Sequence, residues 1–406
     1  MSRFIFLTQY YPPETGAPQN RLHSLAKYIN KAGHEVKIVT ALPNYPKNEI
    51  FASYKGKYSV HEFIDEVPVY RTWIFVSSSR SVLARLLNYF SFVITSFFKL
   101  LQLPKADWII CESPPLFLGI TAVLVSKIKR SKLIFNVSDL WPESAEKLNI
   151  INNRFLINVS YGLESWIYKK SFLISGQTQG IVKNIKERFP NKSVVWFPNG
   201  VDIDFFEGEH EVLDWRAKLE LPAEHLKILY AGIIGHAQGL EVIIKAAEKV
   251  RSFPVSFIIV GDGPEKSKLL KMVADGKLND VHFLPNLEKA KMPSLIKSCD
   301  AYVVPLRKLD LFKGAIPSKL FEPLAMGKPI LLGVEGEAKE LFIEYGKAGL
   351  FFEPENADEL ADRILVLLND QSMRLELGMN GKTYVKSNFN RQRIHQKFLE
   401  VLDVKE

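Results

Sequence analysis

Residues 312–322 combine the residue types that bind a diphosphate. They read Phe-Lys-Gly-Ala-Ile-Pro-Ser-Lys-Leu-Phe-Glu, follow an apolar run typical of a strand, and precede a short helix predicted to end near Gly327. A loop between a strand and a helix directs backbone N–H groups at an anion. Lys313 and Lys319 add cationic donors suited to phosphate, whereas the carboxylate of Glu322 suits ribose hydroxyls. The loop therefore predicts a binding site for a nucleoside diphosphate.

A second glycine loop, Gly232–Gly239, follows the candidate strand Ile228–Ala231, earlier in the chain, and leads into another helix. Its backbone N–H groups are a further candidate cradle for phosphate. His236 is the only titratable side chain in it, and a lone loop histidine is more often a hydrogen-bonding surface residue than a catalyst. Gly261 and Gly263 also follow a strand, but position 266 is not the third glycine of a dinucleotide fingerprint. We therefore interpret that turn as structural.

Two polar clusters follow predicted strands in the N-terminal half. Residues 10–21 contain Gly16, which permits a close backbone approach to a ligand; the alternative is an ordinary strand–helix turn. Residues 133–144 place Asn136, Asp139 and Glu143 at or just beyond another strand. Carboxylates there suit orienting hydroxyls or accepting a proton, whereas helix capping is the alternative role of Asp139. Because ligands of open α/β sheets lie beyond the carboxyl ends of strands, both clusters are candidate site elements.

The elements that position these residues alternate between apolar strand-like runs and helices, which predicts parallel sheets flanked by helices. At 406 residues the chain is longer than most single cores, so we expect two α/β domains with a boundary in residues 203–226. The predicted strands are Phe4–Thr8, Val36–Thr40, Val69–Phe75, Trp108–Cys111, Leu133–Val137, Phe172–Ser175, Val194–Phe197, Ile228–Ala231, Ser256–Val260, Val281–Leu284, Ala301–Val304, Ile330–Leu332 and Leu350–Phe352.

The composition narrows the choice of partners. Lysine and arginine outnumber aspartate and glutamate by 53 to 45, which gives a net charge of +8. This excess suits phosphates or an acidic membrane surface. No zinc finger, RNA-binding signature or long basic run accompanies it, so nucleic acid is not an expected partner. The two cysteines are far apart in sequence, which argues against a disulfide framework and fits a reducing compartment. The first residues do not resemble a signal peptide.

Residues 86–98, within the apolar segment 83–103, contain no charged side chain and are flanked by Arg80, Arg85 and Lys99. This uncharged run is shorter than the ~20 apolar residues that span a bilayer. Two interpretations stay open. The segment is either a buried helix of the first domain, or an interfacial helix that places aromatic rings at the lipid boundary and cations at lipid phosphates.

Six motifs, taken together and in order, resemble those of the GT4 family of retaining, nucleotide-sugar-dependent glycosyltransferases. The similarity covers nearly the whole chain and is greatest to the bacterial surface-polysaccharide branch of fucosamine (N-acetyl-L-fucosamine) transferases. The motifs are Pro12–Ala17, Asp139–Ser144, Asn199–Asp202, Ala237–Leu240, Val260–Gly263 and Pro317–Glu322.

The resemblance implies a GT-B fold, in which two Rossmann-like doubly wound domains face each other across a cleft. Residues 1–205 would form the acceptor-binding domain, joined by a C-terminal helix at 386–406. Residues 206–385 would form the nucleotide-sugar-binding domain. No metal or other cofactor is implied.

The resemblance also implies roles for the candidate residues. Lys319 would stabilise the charge that builds on the leaving diphosphate, with help from helix N-termini, and Glu322 would hold ribose hydroxyls. Asp139 and Asn136 would act with Lys319 in catalysis by orienting the reacting sugars. The acceptor side would include Glu14, Asp139 and Glu143. The remaining donor-site residues would be Gly16, Gly235, His236, Gln238, Leu284, Arg307, Lys313, Gly314 and Ser318.

The implied activity is transfer of a sugar from a UDP-sugar to a saccharide linked to undecaprenyl diphosphate, in O-antigen or capsule biosynthesis. The enzyme would be cytoplasmic and peripheral, bound to the anionic inner face of the cytoplasmic membrane. Two alternatives stay open. One is a UDP-N-acetylhexosamine epimerase of the same architecture, and the other is a non-catalytic membrane scaffold of a polysaccharide assembly pathway.

Three departures from the family pattern carry expectations. Gly314 stands where the family has the first of two glutamates, which suits a donor with fewer or differently placed hydroxyls, such as a 6-deoxy N-acetylhexosamine. Ile233 and Gln238 replace a paired Arg and Lys of the second glycine loop, so Lys319, Arg307 or His236 must supply the charge. Pro323 falls inside the predicted helix. A proline costs about 3 kcal/mol in a helix interior, so we expect the helix to be distorted or to begin near Pro323.

Overall fold

The computed structural model describes residues 1–45, 48–79, 81–147 and 153–403. The chain divides into two compact units. The N-terminal unit comprises residues 1–199 together with the chain from residue 392 onward, and the C-terminal unit comprises residues 200–391. The units therefore separate at 199/200 and at 391/392, a few residues before the stretch in which the sequence places the boundary.

The N-terminal unit is built on an eight-stranded sheet in the order β3-β4-β2-β1-β5-β6-β7-β8. All neighbouring strands are parallel except β3 and β4, which form an antiparallel hairpin. Helices cover both faces, so the central strands are buried throughout, as parallel sheets require. The strands are β1 Arg3–Leu7, β2 Glu35–Ala41, β3 Ser59–Ile64, β4 Val67–Thr72, β5 Trp108–Ser113, β6 Lys132–Val137, β7 Leu173–Gly176 and β8 Val194–Trp196.

Two apolar cores hold this unit together, one on each face of the sheet. Helices α2, α3, α5 and α6 contribute to the first core, and α1 and the last helix of the chain contribute to the second. Helix α1 begins after Gly16 with a proline in its first turn, where the missing N–H costs nothing. The helices are α1 Ala17–Lys31, α2 Val82–Gln102, α3 Leu118–Lys129, α4 Glu143–Lys147, α5 Arg154–Lys170 and α6 Gln179–Arg188, with a 3₁₀ turn at Ala52–Tyr54.

The C-terminal unit contains a six-stranded parallel sheet in the order β11-β10-β9-β12-β13-β14. Its strands are β9 Leu226–Ala231, β10 Val255–Val260, β11 Val281–Leu284, β12 Ala301–Pro305, β13 Ile330–Gly333 and β14 Gly349–Phe351. Its helices are α7 Ile203–Glu207, α8 Trp215–Lys218, α9 Glu241–Lys249, α10 Lys266–Gly276, α11 Met292–Ser298, α12 Phe321–Ala325, α13 Glu337–Lys339, α14 Ala357–Asn369 and α15 Gln371–Asn388. Short 3₁₀ turns span His236–Gln238, Lys289–Lys291, Asp310–Gly314 and Ser318–Leu320, and a π-helical turn spans Glu340–Tyr345.

The predicted fold class is confirmed, because both units are α/β layers built on parallel sheets. Every predicted strand has a counterpart within a few residues. The sequence missed β3, an edge strand whose side chains are all at least partly exposed. Its turn, Asp65-Glu66, takes positive φ at both residues, the geometry of a type I′ hairpin.

A C-terminal helix joins the N-terminal unit, but within the described residues it begins later than the predicted residue 386. Helix α15 runs past this start and ends at Asn388, and a separate helix, α16, spans Arg391–Asp403. At the break, the backbone of Val201 pairs with Phe389 and Arg391, and the chain passes into the N-terminal unit at the start of α16. Helix α16 buries Ile394, Phe398 and Leu402 in the core of the N-terminal unit.

Candidate active site

Lys319 is a partly buried cation that no carboxylate neutralises among the described residues. It lies in the 3₁₀ turn Ser318–Leu320, and its Nζ donates to the hydroxyl of Tyr230 at 2.7 Å. The same Nζ lies 4.4 Å from the centre of the Tyr230 ring. Burial without a counterion lowers the pKa of Lys319 to about 7. An ammonium group held in this way gains stability when an anion binds beside it.

Tyr230 is the residue that Lys319 contacts, and sequence reasoning missed it. It is fully buried at the end of β9, and its hydroxyl donates to the carbonyl of Ile233 at 2.6 Å. The adjacent Gly232 has φ of 146°, and a Cβ built there would lie 3.1 Å from the Lys319 ammonium. The first glycine of the second loop is therefore required by the close approach of Lys319 as well as by its backbone conformation.

Glu322 lies one turn after Lys319, so the two side chains share a face of the helical segment. Its carboxylate has no hydrogen-bond partner among the described residues. Desolvation raises the pKa of Glu322, and the charges of Lys289 and Arg391 partly offset this rise. An unsatisfied carboxylate of this kind is available to accept hydroxyl hydrogen bonds from a ligand.

Pro323 does not distort the helix, because the α-helical turn begins at Phe321 after the 3₁₀ turn. Pro323 therefore lies in the first turn of α12, where a backbone N–H has no intrahelical acceptor. Of the two outcomes expected from sequence, a helix that begins near Pro323 is the one observed.

Arg307 is not free to bind phosphate as the sequence suggested. Its guanidinium contacts Glu241 at 2.9 Å and Glu355 at 3.0 Å, and its Nε donates to the carbonyl of His236 at 2.7 Å. Its backbone N–H also bonds the carbonyl of Ala237 at 3.0 Å. Arg307 therefore fixes the shape of the second glycine loop through contacts to residues distant in sequence.

Lys313 is likewise separate from the Lys319 arrangement. It lies in the 3₁₀ turn Asp310–Gly314, where its exposed ammonium pairs with Asp310 at 2.7 Å. Gly314, where the family places a glutamate, has open space at its Cβ position and no positive φ. Neither packing nor backbone conformation therefore requires a glycine at position 314. Ser318 is exposed, and its side chain caps no helix.

The second glycine loop presents its backbone more than its side chains. His236 is exposed and begins the 3₁₀ turn that precedes α9. The side chain of Gln238 lies over Gly235, where an added Cβ would meet its Oε1 at 2.8 Å. Leu284 was predicted to contact the nucleotide base, but its carbonyl already accepts from the N–H of Gly261. Any contact between β11 and the base would have to use other backbone groups.

The Gly261–Gly263 turn is structural, as the sequence indicated. A Cβ at Gly261 would lie 2.0 Å from the carbonyl oxygen of Gly232, and one at Gly263 would lie 2.3 Å from that of Ile234. These glycines let two loops pack backbone against backbone at the carboxyl edge of the sheet.

In the N-terminal unit, Asn136 belongs to a buried polar network instead of facing a ligand. Its Nδ2 donates to Glu112 at 2.6 Å, and its Oδ1 accepts from Ser175 at 2.7 Å. Glu112 also pairs with buried Arg21 at 2.7 Å, and Arg21 donates to Asn199 at 2.9 Å. Sequence reasoning missed Arg21 and Glu112, which join α1 to the ends of β5 and β6.

Glu14 and Gly16 also have structural partners. The Glu14 carboxylate accepts from the backbone N–H groups of Tyr11, Asn44 and Tyr45 at 2.8–3.1 Å, so it joins the loops after β1 and β2. Desolvation raises the pKa of Glu14. Gly16 is extended, with φ of 172°, and an added Cβ would lie 2.4 Å from Oε1 of the buried Gln19.

Asp139 and Glu143 differ in how many hydrogen bonds and ion pairs their carboxylates make with neighbouring residues. Glu143 pairs with Lys147 at 2.6 Å and accepts from Asn184 at 3.3 Å. Asp139 accepts from the Ser144 hydroxyl, a bond between two side chains, and it stays solvent-exposed. Desolvation by the surrounding protein raises the pKa of Asp139 against this hydrogen bond. Asp139 is therefore the more available carboxylate of the two.

Helix α2 buries one apolar face and exposes another. Phe92, Ser96 and Leu100 are fully buried against the sheet. The interpretation of a buried helix of the first domain therefore holds for this face, and the interfacial interpretation concerns the exposed face. In the part of the chain that the structure describes, no helix combines the length and hydropathy needed to cross a membrane. The exposed stripe recurs every three or four residues and consists of Leu83, Leu87, Phe90, Ile94, Phe98 and Leu101.

No group of three or more histidine, cysteine, aspartate or glutamate side chains is arranged to hold a metal ion in residues 1–45, 48–79, 81–147 and 153–403.

Family models match both units. The model described as "Glycosyl transferase 4-like domain" matches residues 16–200, and that described as "Glycosyl transferases group 1" matches residues 212–384. The putative colanic acid biosynthesis glycosyl transferase WcaI of Escherichia coli is 28% identical over 86% of this chain and 88% of its own length. A Campylobacter jejuni N,N′-diacetylbacillosaminyl-diphospho-undecaprenol alpha-1,3-N-acetylgalactosaminyltransferase is 24% identical over 70% of this chain and 73% of its own.

Solved structures share the fold. Anabaena HepE in complex with UDP and glucose superposes with a TM-score of 0.73 over the whole of both chains, at 19% identity. WaaG, a glycosyltransferase involved in lipopolysaccharide biosynthesis, superposes with a TM-score of 0.67 over 98% of this chain and 99% of its own, at 15% identity.

Proposed function

We propose that this chain, which is a GT4 glycosyltransferase of the GT-B fold, transfers a sugar from a UDP-sugar to a lipid-linked saccharide with retention at the anomeric carbon. The observation that carries the donor site is Lys319, a cation that has no carboxylate partner among the described residues and that donates to the Tyr230 hydroxyl. HepE, which shares the fold, was solved with UDP and glucose. The Campylobacter relative is named for transfer to a diphospho-undecaprenol saccharide.

In this proposal Lys319 stabilises the leaving diphosphate. The bond from the anomeric carbon to the β-phosphate oxygen breaks, and negative charge grows on that oxygen. A preorganised cation there lowers the barrier because it requires no reorganisation. The backbone N–H groups at the start of the Gly235–Gly239 loop would assist it, since those of Gln238 and Gly239 already bond the carbonyls of Gly235 and His236. Glu322 would accept the ribose hydroxyls.

Asp139 is the proposed N-terminal contributor, because it is the carboxylate that its neighbours leave partly available. It would orient the acceptor hydroxyl for attack on the face that the diphosphate leaves. Asn136 would act indirectly, since its own amide is fully hydrogen-bonded. The reaction requires no metal in this proposal.

The donor sugar is proposed to be a 6-deoxy N-acetylhexosamine such as N-acetylfucosamine, and the product an O-antigen or capsule intermediate. Support comes from Gly314, which leaves open space where the family carries a sugar-binding glutamate. The similarity to a colanic acid transferase supports the pathway class. A turnover assay that compares UDP-N-acetylfucosamine with UDP-N-acetylglucosamine, with undecaprenyl-diphosphate-linked N-acetylglucosamine as acceptor, tests both parts. Ring epimerisation without an acceptor would indicate an epimerase instead.

Diphosphate binding should take up a proton at alkaline pH. Because the pKa of Lys319 is about 7, the free protein holds this amine mostly neutral at pH 8. A bound diphosphate favours the ammonium form, so we expect uptake of roughly one proton per UDP at pH 8 and clearly less at pH 6. Calorimetry in buffers of different ionisation enthalpy measures this number. The Lys319→Met variant should show no proton uptake. Uptake equal to that of the wild type would show that another group than Lys319 takes up the proton.

The exposed stripe of α2 is proposed to bind the anionic inner face of the cytoplasmic membrane. Ile94 and Phe98 are 56% and 58% exposed. Lys99 lies in the last turn of α2, and the ammonium of Lys129 donates to the carbonyl of Leu101 at 3.2 Å. We expect Ile94→Glu with Phe98→Glu to shift the protein from anionic liposomes to the supernatant in flotation, because each charge removes apolar contact and repels lipid phosphate. Phe97 is unsuitable for this test since it packs against the core.

The matched control changes two exposed apolar residues of α15, Leu375→Glu with Met379→Glu. These side chains are 67% and 61% exposed and belong to the C-terminal unit. Membrane binding should be unchanged in this control. Equal loss of binding in both double variants would contradict a specific role of α2.

A further inference from the structure

Three tyrosines gather at the carboxyl edge of the N-terminal sheet. Tyr10 follows β1 and Tyr45 follows β2, the parallel neighbour of β1. Their ring centres lie 5.6 Å apart. Tyr89, from α2, is close enough to Tyr10 to influence its ionisation. All three side chains are half-buried, so each ring is fixed by packing while part of it stays accessible.

The hydroxyls of two of these tyrosines are unused. Among the described residues, Tyr45 and Tyr89 make ring contacts but no hydrogen bonds through their phenol oxygens. Desolvation raises the pKa of all three phenols, so they are neutral hydroxyls that can both donate and accept. Tyr10 accepts from Nε2 of Gln9 at 3.2 Å.

Gln9 supplies a second and independent observation at this position. Its side chain is 1% exposed, and its Nε2 also donates to Oδ1 of Asn88 at 2.9 Å. Its Oε1 is buried and has no hydrogen-bond partner in the described part of the chain. Buried acceptors in native proteins are nearly always satisfied. This acceptor belongs to a side chain that contacts the Tyr10 hydroxyl, and it is available to a hydrogen-bond donor from a ligand.

The chemistry of the cluster is that of sugar recognition. It combines aromatic faces, which pack on the apolar C–H face of a sugar ring, with neutral hydroxyl and amide groups that match sugar hydroxyls. The carboxylate nearest to it, Glu14, is already held by three backbone N–H groups. Among the described residues, the cation that influences Tyr89 is Arg85, which is exposed one turn earlier on α2. A phosphate site would need cations within the cluster.

The cluster is continuous with the loop that carries Asp139. Phe117 lies 6.2 Å from Tyr89 and 5.6 Å from Trp141, measured between ring centres. Trp141 follows Asp139 by two residues. Aromatic rings thus connect the tyrosines to the proposed reacting group along the same edge of the sheet.

We propose that Gln9, Tyr10, Tyr45 and Tyr89 form a subsite for a neutral sugar ring of the acceptor saccharide. The inference rests on the proposed function, since it assigns the acceptor to this edge of the N-terminal unit. It goes beyond it by naming the residues and by excluding the lipid-linked diphosphate from this position. The sugar would stack on a tyrosine face and hydrogen-bond to the free hydroxyls.

The test uses saturation-transfer NMR of the full-length protein with methyl N-acetylglucosaminide, in the presence of saturating UDP and with pyrophosphate as competitor. The wild type should transfer saturation to the glycoside, and pyrophosphate should not displace it. Tyr45→Phe with Tyr89→Phe should weaken this signal at least fivefold, because the change removes the hydroxyls and keeps the rings. Tyr28→Phe, on α1 of the same unit, is the matched control and should behave as wild type.

No glycoside signal in the wild type, displacement by pyrophosphate, or a full signal in the double variant would overturn the subsite. Calorimetry with UDP is run on every variant. Because the tyrosines belong to the N-terminal unit and the proposed donor site to the C-terminal unit, intrinsic tryptophan fluorescence during unfolding checks that the double variant is folded. If its unfolding transition is lost, the single variants Tyr45→Phe and Tyr89→Phe replace it. If the wild type fails to bind UDP while the glycoside signal still depends on the tyrosines, the donor proposal fails and the subsite stands.

Discussion

Replacing Lys319 with methionine should lower kcat for sugar transfer by about 10²- to 10³-fold, the usual cost of losing one preorganised donor to a developing oxyanion. Methionine keeps the length and packing of the lysine stem but removes the charge. The described residues contain no carboxylate partner that the change would leave unpaired, so the fold should persist. Initial rates with a UDP-sugar, together with a thermal melt, measure the two effects separately.

Two lysine variants serve as comparisons. Lys271→Met removes an exposed charge from α10 that has no recorded partner in the described chain, and its rate should equal that of the wild type. Lys313→Met should have a small effect, because this exposed lysine is paired with Asp310. A Lys319→Met enzyme that turns over at the wild-type rate would refute the donor site, and a larger loss in Lys313→Met would move it to the 310–314 turn.

Replacing Arg21 with methionine should destabilise the N-terminal unit by about 3–5 kcal/mol, since it leaves Glu112 as an uncompensated buried charge. The two side chains are only 3% and 4% exposed. Asn199 would lose its partner as well. Five of the six tryptophans lie in this unit, so intrinsic fluorescence during unfolding follows it selectively.

The double variant Arg21→Met with Glu112→Leu separates charge from packing. Removing both charges should restore much of the lost stability, because apolar replacements of a buried ion pair are often neutral. The surface pair Arg3–Asp107, in the same unit but partly exposed, is the matched control. Arg3→Met should cost less than about 1 kcal/mol. A double variant as unstable as the sum of the single variants would show that the charges are not the cause.

Local signals made the fold readable from sequence. Short apolar runs bounded by glycine, proline or polar residues located thirteen strands, because buried parallel strands are apolar throughout. The edge strand β3 escaped this criterion since its side chains alternate between exposed and half-buried positions. The C-terminal helix boundary failed for a different reason. The break between Asn388 and Arg391 depends on pairing with Val201, nearly two hundred residues earlier.

The site was only partly predictable. Lys319 and Glu322 were identified because a glycine loop between a strand and a helix has a local pattern. Arg307 also follows a strand and was predicted for the same reason. Its partners Glu241 and Glu355 are 66 and 48 residues away in sequence, so no local pattern shows that it is paired. Asn136 is similar, since Glu112 and Ser175 come from neighbouring strands. Tyr230 could not be identified from sequence, because an aromatic residue within a predicted strand does not indicate a site. Which polar residues remain available to a ligand is decided by tertiary contacts.

The most direct test is calorimetry of UDP, GDP and ADP binding to the wild type and to Glu322→Ala, with Glu248→Ala, an exposed carboxylate of α9, as control. The account predicts that UDP binds and that Glu322→Ala weakens it by about 1–3 kcal/mol, the scale for losing a charged hydrogen-bond partner. The control should bind as wild type. Binding of GDP or ADP but not UDP would keep the site and change the assigned donor nucleotide. Absence of any nucleotide binding, or equal UDP affinity in Glu322→Ala, would contradict the assignment of this segment as the donor site.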